Sequence, residues 1–124
     1  MIAPATEWLY LPPIESADLL HTLDDGVQRI ELYHNLKSAG AIEYRYMIGV
    51  YPSGTSMRPR LLVTCERSAG LELEYPGQFA LGVFTPQGHH TLAIGKEYGQ
   101  WNIFLDKSAE VISTWLPQSG SVTS

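Results

Sequence analysis

The stretch from Ala41 to Arg67, AIEYRYMIGVYPSGTSMRPRLLVTCER, constrains the fold more than any other part of the chain. It reads as two long strands around a loop. Ile42, Tyr44, Tyr46, Ile48 and Val50 recur at period two, with Glu43, Arg45 and Met47 on the opposite face. After the loop, Leu61, Val63 and Cys65 alternate with Leu62, Thr64 and Glu66. Residues 52–59 between them carry prolines where ladder pairing must stop. An antiparallel pair built this way buries Tyr46 and Val63 and leaves Glu43 and Glu66 in water.

The flanking segments add helices and further strands. Trp8, Leu9, Tyr10 and Leu11 form an apolar knot ended by Pro12 and Pro13, an edge strand in this reading. Leu20, Leu23, Val27 and Ile30 are spaced as one stripe of an amphipathic helix over residues 16–39, with Ser16 as its cap and Gly40 as its end. Gly26 is the weak point of that helix and a place where it can break, and a strand from Gln28 to Asn35 is the competing assignment. Leu71 to Tyr75 alternates as a short strand, Pro76-Gly77 makes a corner, and Gln78 to Phe84 is a strand with Phe79, Leu81 and Val83 together. Ala80 and Gly82 leave a smooth patch opposite, where another element can approach closely. Thr85-Pro86-Gln87-Gly88 is a turn, followed by strands at 90–94 and 101–105. Val111, Ile112, Trp115 and Leu116 mark a closing helix stopped by Pro117.

These elements predict an α+β fold: a largely antiparallel, bent sheet of about six strands, with a helix in the N-terminal half and a short C-terminal helix packed on one face. Residues 1–117 form one domain and residues 118–124 a disordered tail. The absence of βαβ alternation argues against a doubly wound nucleotide fold.

Composition narrows the functions. Thirteen carboxylates against eight Lys and Arg give a net charge of −5, which repels a phosphate backbone, and Arg58 and Arg60 are the only close basic pair. Nucleic acid is therefore not expected as a partner. No apolar run reaches the roughly 18 residues of a membrane span, so no membrane association is expected. One cysteine forms no internal disulfide and fits a reducing compartment, and the N-terminus lacks the basic residue and apolar block of a secretory signal. The expected location is cytoplasmic.

Catalytic patterns do not emerge. Cys65 shares parity with Leu61 and Val63, as a packed thiol does. His89 and His90 are adjacent, so a strand points them to opposite faces, and no zinc spacing is present. His21 and Asp25 share a helical face but are too few for a metal site. Glu72 and Glu74 read as a solvated face. No nucleophile elbow, P-loop or dinucleotide fingerprint occurs, and no cofactor or metal is expected. The chain reads as a small acidic, non-catalytic binding domain for a protein partner or for itself as a homodimer, with Trp8 and Tyr10 as aromatic anchors. The alternative is a small-molecule binder or small enzyme using an aromatic pocket between sheet and helix, lined by Tyr44, Tyr46, Cys65, His90 and Trp101.

Overall fold

Six strands run side by side in sequence order, each antiparallel to the next: β1 (Ile14–Asp24), β2 (Gln28–Ser38), β3 (Glu43–Pro52), β4 (Leu61–Arg67), β5 (Phe79–Thr85) and β6 (Gly88–Gly95). A short helix α1 (Ala69–Glu74) joins β4 to β5. A 3₁₀ turn (Lys96–Gly99) follows β6, and helix α2 (Trp101–Trp115) closes the fold. The computed structural model describes residue 12, residues 14–54 and residues 59–116. The architecture is α+β with an open antiparallel sheet, as the sequence predicts, but several elements have exchanged roles.

The largest exchange is at the N-terminal end. Residues 16–39 form the β1–β2 hairpin instead of a helix, and the competing strand assignment for 28–35 is the one the fold adopts. The decisive residues are Asp24, Asp25 and Gly26. Asp25 Oδ1 accepts from the amides of Val27 and Gln28, both at 2.8 Å, and Asp24 Oδ1 accepts from Gly26 N at 2.9 Å. Gly26 sits at φ +90°, where a helix cannot continue. Aspartates that bond nearby backbone amides offer the chain an alternative to the helical ladder, and here that alternative wins. The helical stripe is accidental: Leu20, Leu23 and Val27 remain exposed.

Two further strand expectations give way to helices. Leu71 to Tyr75 lies in α1 and its C-terminal cap because Ser68 caps the start, its Oγ accepting from Leu71 N at 3.2 Å. The alternation there buries nothing, and Leu73 projects into solvent. Trp101 to Leu105 is the first part of α2, so the closing helix starts earlier and runs longer than expected. Its buried residues Phe104, Ser108, Val111 and Ile112 follow the helical period, which outweighs the short alternation of Trp101, Ile103 and Leu105.

The central pair contains a bulge. Tyr44 pairs with Glu66 but Tyr46 pairs with Cys65, so Arg45 is an extra residue on β3. Tyr44 and Tyr46 consequently lie on opposite faces. Tyr46 belongs with Ile48, Val50, Leu61, Val63 and Cys65 beneath α2, whereas Tyr44 packs with Leu62 and Phe84 on the other face. Val63 is buried and Tyr46 half-buried, and Glu43 is exposed as expected. Glu66 is the correction: its side chain is buried, because β4 is a central strand covered on both faces from Leu61 to Glu66.

Only part of the sheet lies under α2. Six strands spaced about 4.8 Å apart span roughly 24 Å, against a helix diameter of about 10 Å. Phe104, Val111 and Ile112 pack onto the β3–β5 side with Val63, Leu81 and Val83. On the β1–β2 hairpin, Leu32 is buried in the same cluster and Ile30 packs against it, whereas Leu23 of β1 stays exposed.

Candidate functional site

Of the five residues expected to line one aromatic pocket, Tyr46, Cys65 and Trp101 come together in the core, whereas Tyr44 and His90 lie elsewhere. Tyr46 and Trp101 are in edge contact, with ring centroids 4.8 Å apart, and Phe104 lies 5.4 Å from Tyr46. These rings fill the space between sheet and helix as core. Cys65 is fully buried beneath them and its thiol donates to the Tyr98 carbonyl at 3.1 Å. Burial pushes that thiol up to about 12, with the neighbouring Arg45 pulling the other way. Tyr44 is on the opposite face, and His90 sits on the edge strand β6 against Trp115. Trp8 and Tyr10, the expected partner anchors, lie outside the described residues.

The bulge at Arg45 closes this end of the core. Arg45 Nε donates to the Gly99 carbonyl at 3.1 Å, and Tyr46 Oη donates to the same oxygen at 3.0 Å. The guanidinium groups of Arg45 and Arg67 both lie over the Phe79 ring, at 5.4 and 5.5 Å from its centre. Arg67 is held by Glu72, whose carboxyl also accepts from Gly77 N and is lowered chiefly by Arg67.

Of the concave places among the described residues, two combine apolar walls with carboxylates. The first is a groove of about 380 Å³ between the β1–β2 hairpin and α2. Ile30, Leu32 and Ile48 form its sheet side, Leu105 and Ile112 its helix side, and Leu23 stands at its mouth, half exposed. Its polar lining includes Asp25 and Ser113. Asp106 lies two helical turns before Ser113 and shares its stripe of α2, exposed to solvent.

The second is a cleft of about 310 Å³ on the other face of the sheet, where α1 meets β4 to β6. Glu66 and His89 lie in it, with Ile42, Leu71 and Ile94 as apolar walls and Glu74 also in the lining. Glu66 Oε2 accepts from Thr64 Oγ1 at 2.5 Å and lies 3.0 Å from His89 Nε2. The His89 ring stacks on Phe84 at 4.3 Å. Burial first, and the charge of Glu66 second, push the Tyr44 hydroxyl up to about 12.

Sequence reasoning does not single out the Glu66–His89 pairing. One signal points there: a mid-strand glycine near alanine, at positions 82 and 80, marks a close approach, and the approaching group is the Glu66 side chain itself. No group of three or more potential metal ligands occurs among the described residues. No helix among them is long and apolar enough to cross a membrane. No protein-family model matches the chain, and neither a curated protein nor a solved structure matches it.

Proposed function

We propose that this domain works by binding another protein, taking an amphipathic helix with basic flanks into the groove between the β1–β2 hairpin and α2. The observation that carries the reading is the groove whose apolar lining runs from exposed Leu23 through half-buried Ile30 and Leu105 to Leu32 and Ile112, buried at its floor. A groove of this kind on one face of a small domain marks a contact surface. The apolar residues of the partner helix, at three- and four-residue spacing, would seat in the groove as anchors.

Charge selects the flanks. Asp25 in the lining and Asp106 on the adjoining helix stripe place carboxylates on both sides, within a chain of net charge −5. Lysines or arginines beside the apolar stripe of the partner would meet them, speeding the encounter and making it salt-sensitive.

The test uses an eighteen-residue Leu/Lys amphipathic peptide, fluorescently labelled, and its Leu/Glu counterpart. The Leu/Lys peptide should bind the full chain saturably and the Leu/Glu peptide should not. Ala109→Trp, at an exposed groove-lining position, should weaken binding about tenfold by filling the site while leaving the melting temperature nearly unchanged. Equal binding by both peptides, or binding undiminished by Ala109→Trp, would overturn the reading. So would a dimer in sedimentation that Ala109→Trp dissociates, because the groove would then belong to a second copy.

A further inference from the structure

We propose that the cleft around Glu66 binds a small organic cation, a primary ammonium carried on an apolar body. The site lies on the sheet face opposite to α2 and is independent of the groove.

Burying a carboxylate is costly, and the cleft leaves that cost only partly offset. Glu66 has a side chain only 7% exposed, and a carboxylate taken from water needs a counter-charge or several donors. Its partners among the described residues are the Thr64 hydroxyl and the His89 imidazole, neither of them a permanent cation. Arg67 follows it directly in sequence but is committed to Glu72. Both bonds to Glu66 fall on Oε2. A carboxylate has acceptor sites on two oxygens, so Oε1 retains capacity for a donor from the cleft.

The fold holds this carboxylate in place. A side-chain carbon on Gly82 would fall on the Glu66 carboxylate and within 2.8 Å of Thr64 Oγ1, so the strand leaves room for the acid only because residue 82 is glycine. Phe84 supports the imidazole from below, which fixes Nε2 toward Glu66. Such a preset acceptor loses little freedom when a ligand arrives.

The rest of the cleft sets the ligand class. Ile42, Leu71, Ala80 and Ile94 provide apolar walls, and the volume of about 310 Å³ stands at the lower end for small-molecule sites. Glu74 adds a second carboxylate to the lining; Arg67 also lines the cleft, with its guanidinium paired to Glu72, and Ser68 is occupied as the cap of α1. An anionic ligand would meet both acids. A neutral apolar one would bring no donor to Glu66 Oε1.

The experiment titrates the full chain with hexylammonium chloride and follows backbone amides by NMR, with 1-hexanol and hexanoate as controls. Hexylammonium should shift the amides of Leu71, Gly82 and Thr91 saturably, and Glu66→Gln should weaken it about tenfold or more, the loss of a charge-assisted hydrogen bond. Should Glu66→Gln fail to fold, Thr91→Tyr, at an exposed position on the edge strand, should abolish binding by blocking the cleft. Equal affinity for hexanol, binding that survives the substitution, or no saturable shift at these amides would overturn the proposal.

Discussion

The carboxylate of Glu66 occupies the space that a β-carbon on Gly82 would need. The two residues lie on neighbouring strands, β4 and β5, and the glycine is what allows a charged side chain to lie flat across the sheet. Gly82→Ala forces either the acid or the strand to move. It should destabilise the fold by about 1–3 kcal/mol, the usual cost of overpacking, measured by urea denaturation. Stability equal to the parent would mean that Glu66 is not held where it lies.

Tyr46 reaches across the bulge to the Gly99 carbonyl, tying β3 to the 3₁₀ turn ahead of α2. Tyr46→Phe keeps the ring contacts with Trp101 and Phe104 and removes that bond together with the longer one the hydroxyl accepts from Arg45 Nε at 3.3 Å. The expected loss is about 1 kcal/mol in the same measurement. Arg45 still donates to that carbonyl, so the oxygen keeps a partner and the loss stays modest.

Alkaline pH should unfold the protein earlier than its surface charge suggests. The Cys65 thiol has an ordinary value of 9.0 and is raised to about 12, first by burial; Tyr44 is raised from 10.0 to about 12, also first by burial. In both cases the unfolded chain gives up its proton first. The stability these groups contribute is therefore complete below pH 9 and falls as pH rises toward 12. Cys65→Ala should flatten the fall between about pH 9 and 11, read from denaturation midpoints. Thiol reagents should label Cys65 only at the rate of unfolding, and fast labelling of the folded protein would contradict its burial.

The hairpin turn carries the opposite dependence. Hydrogen bonds hold the carboxyl groups of Asp24 and Asp25 below their ordinary value of 3.8, from Ser53 first for Asp24 and from Gln28 N first for Asp25. Their contribution is present above pH 3.8 and is lost as pH falls through the lower folded values. Asp25→Ala should remove part of the acid sensitivity of the β1–β2 amides in hydrogen exchange. Gly26→Ala, at φ +90°, should cost about 1 kcal/mol through left-handed backbone strain.

The chain announces its sheet more clearly than its faces. β3, β4, β5 and β6 are legible because alternation and proline-bounded loops are local signals. The β1–β2 hairpin is not, since Leu20, Leu23, Val27 and Ile30 fit a helical stripe and only the Asp24–Asp25–Gly26 turn speaks against it. Parity fails at Arg45, because a bulge leaves the composition of a strand unchanged and turns the residues on its two sides out of phase. Glu66 looks solvated for a related reason: alternation assigns a face but cannot say that both faces of a central strand are covered. The groove depends on where α2 ends laterally over the sheet, a tertiary relation that no window of residues contains.

Reception of a basic amphipathic helix from another protein, in the groove beside α2, is the central claim. The most direct measurement places a photo-crosslinking residue at position 109 in the native host and sequences the captured peptide, with position 73 on α1 as the control. The expected capture is a segment of another protein with apolar residues at three- and four-residue spacing and lysine or arginine flanks, obtained from 109 and not from 73. Capture of this same chain, or of an acidic or non-helical segment, would contradict the claim.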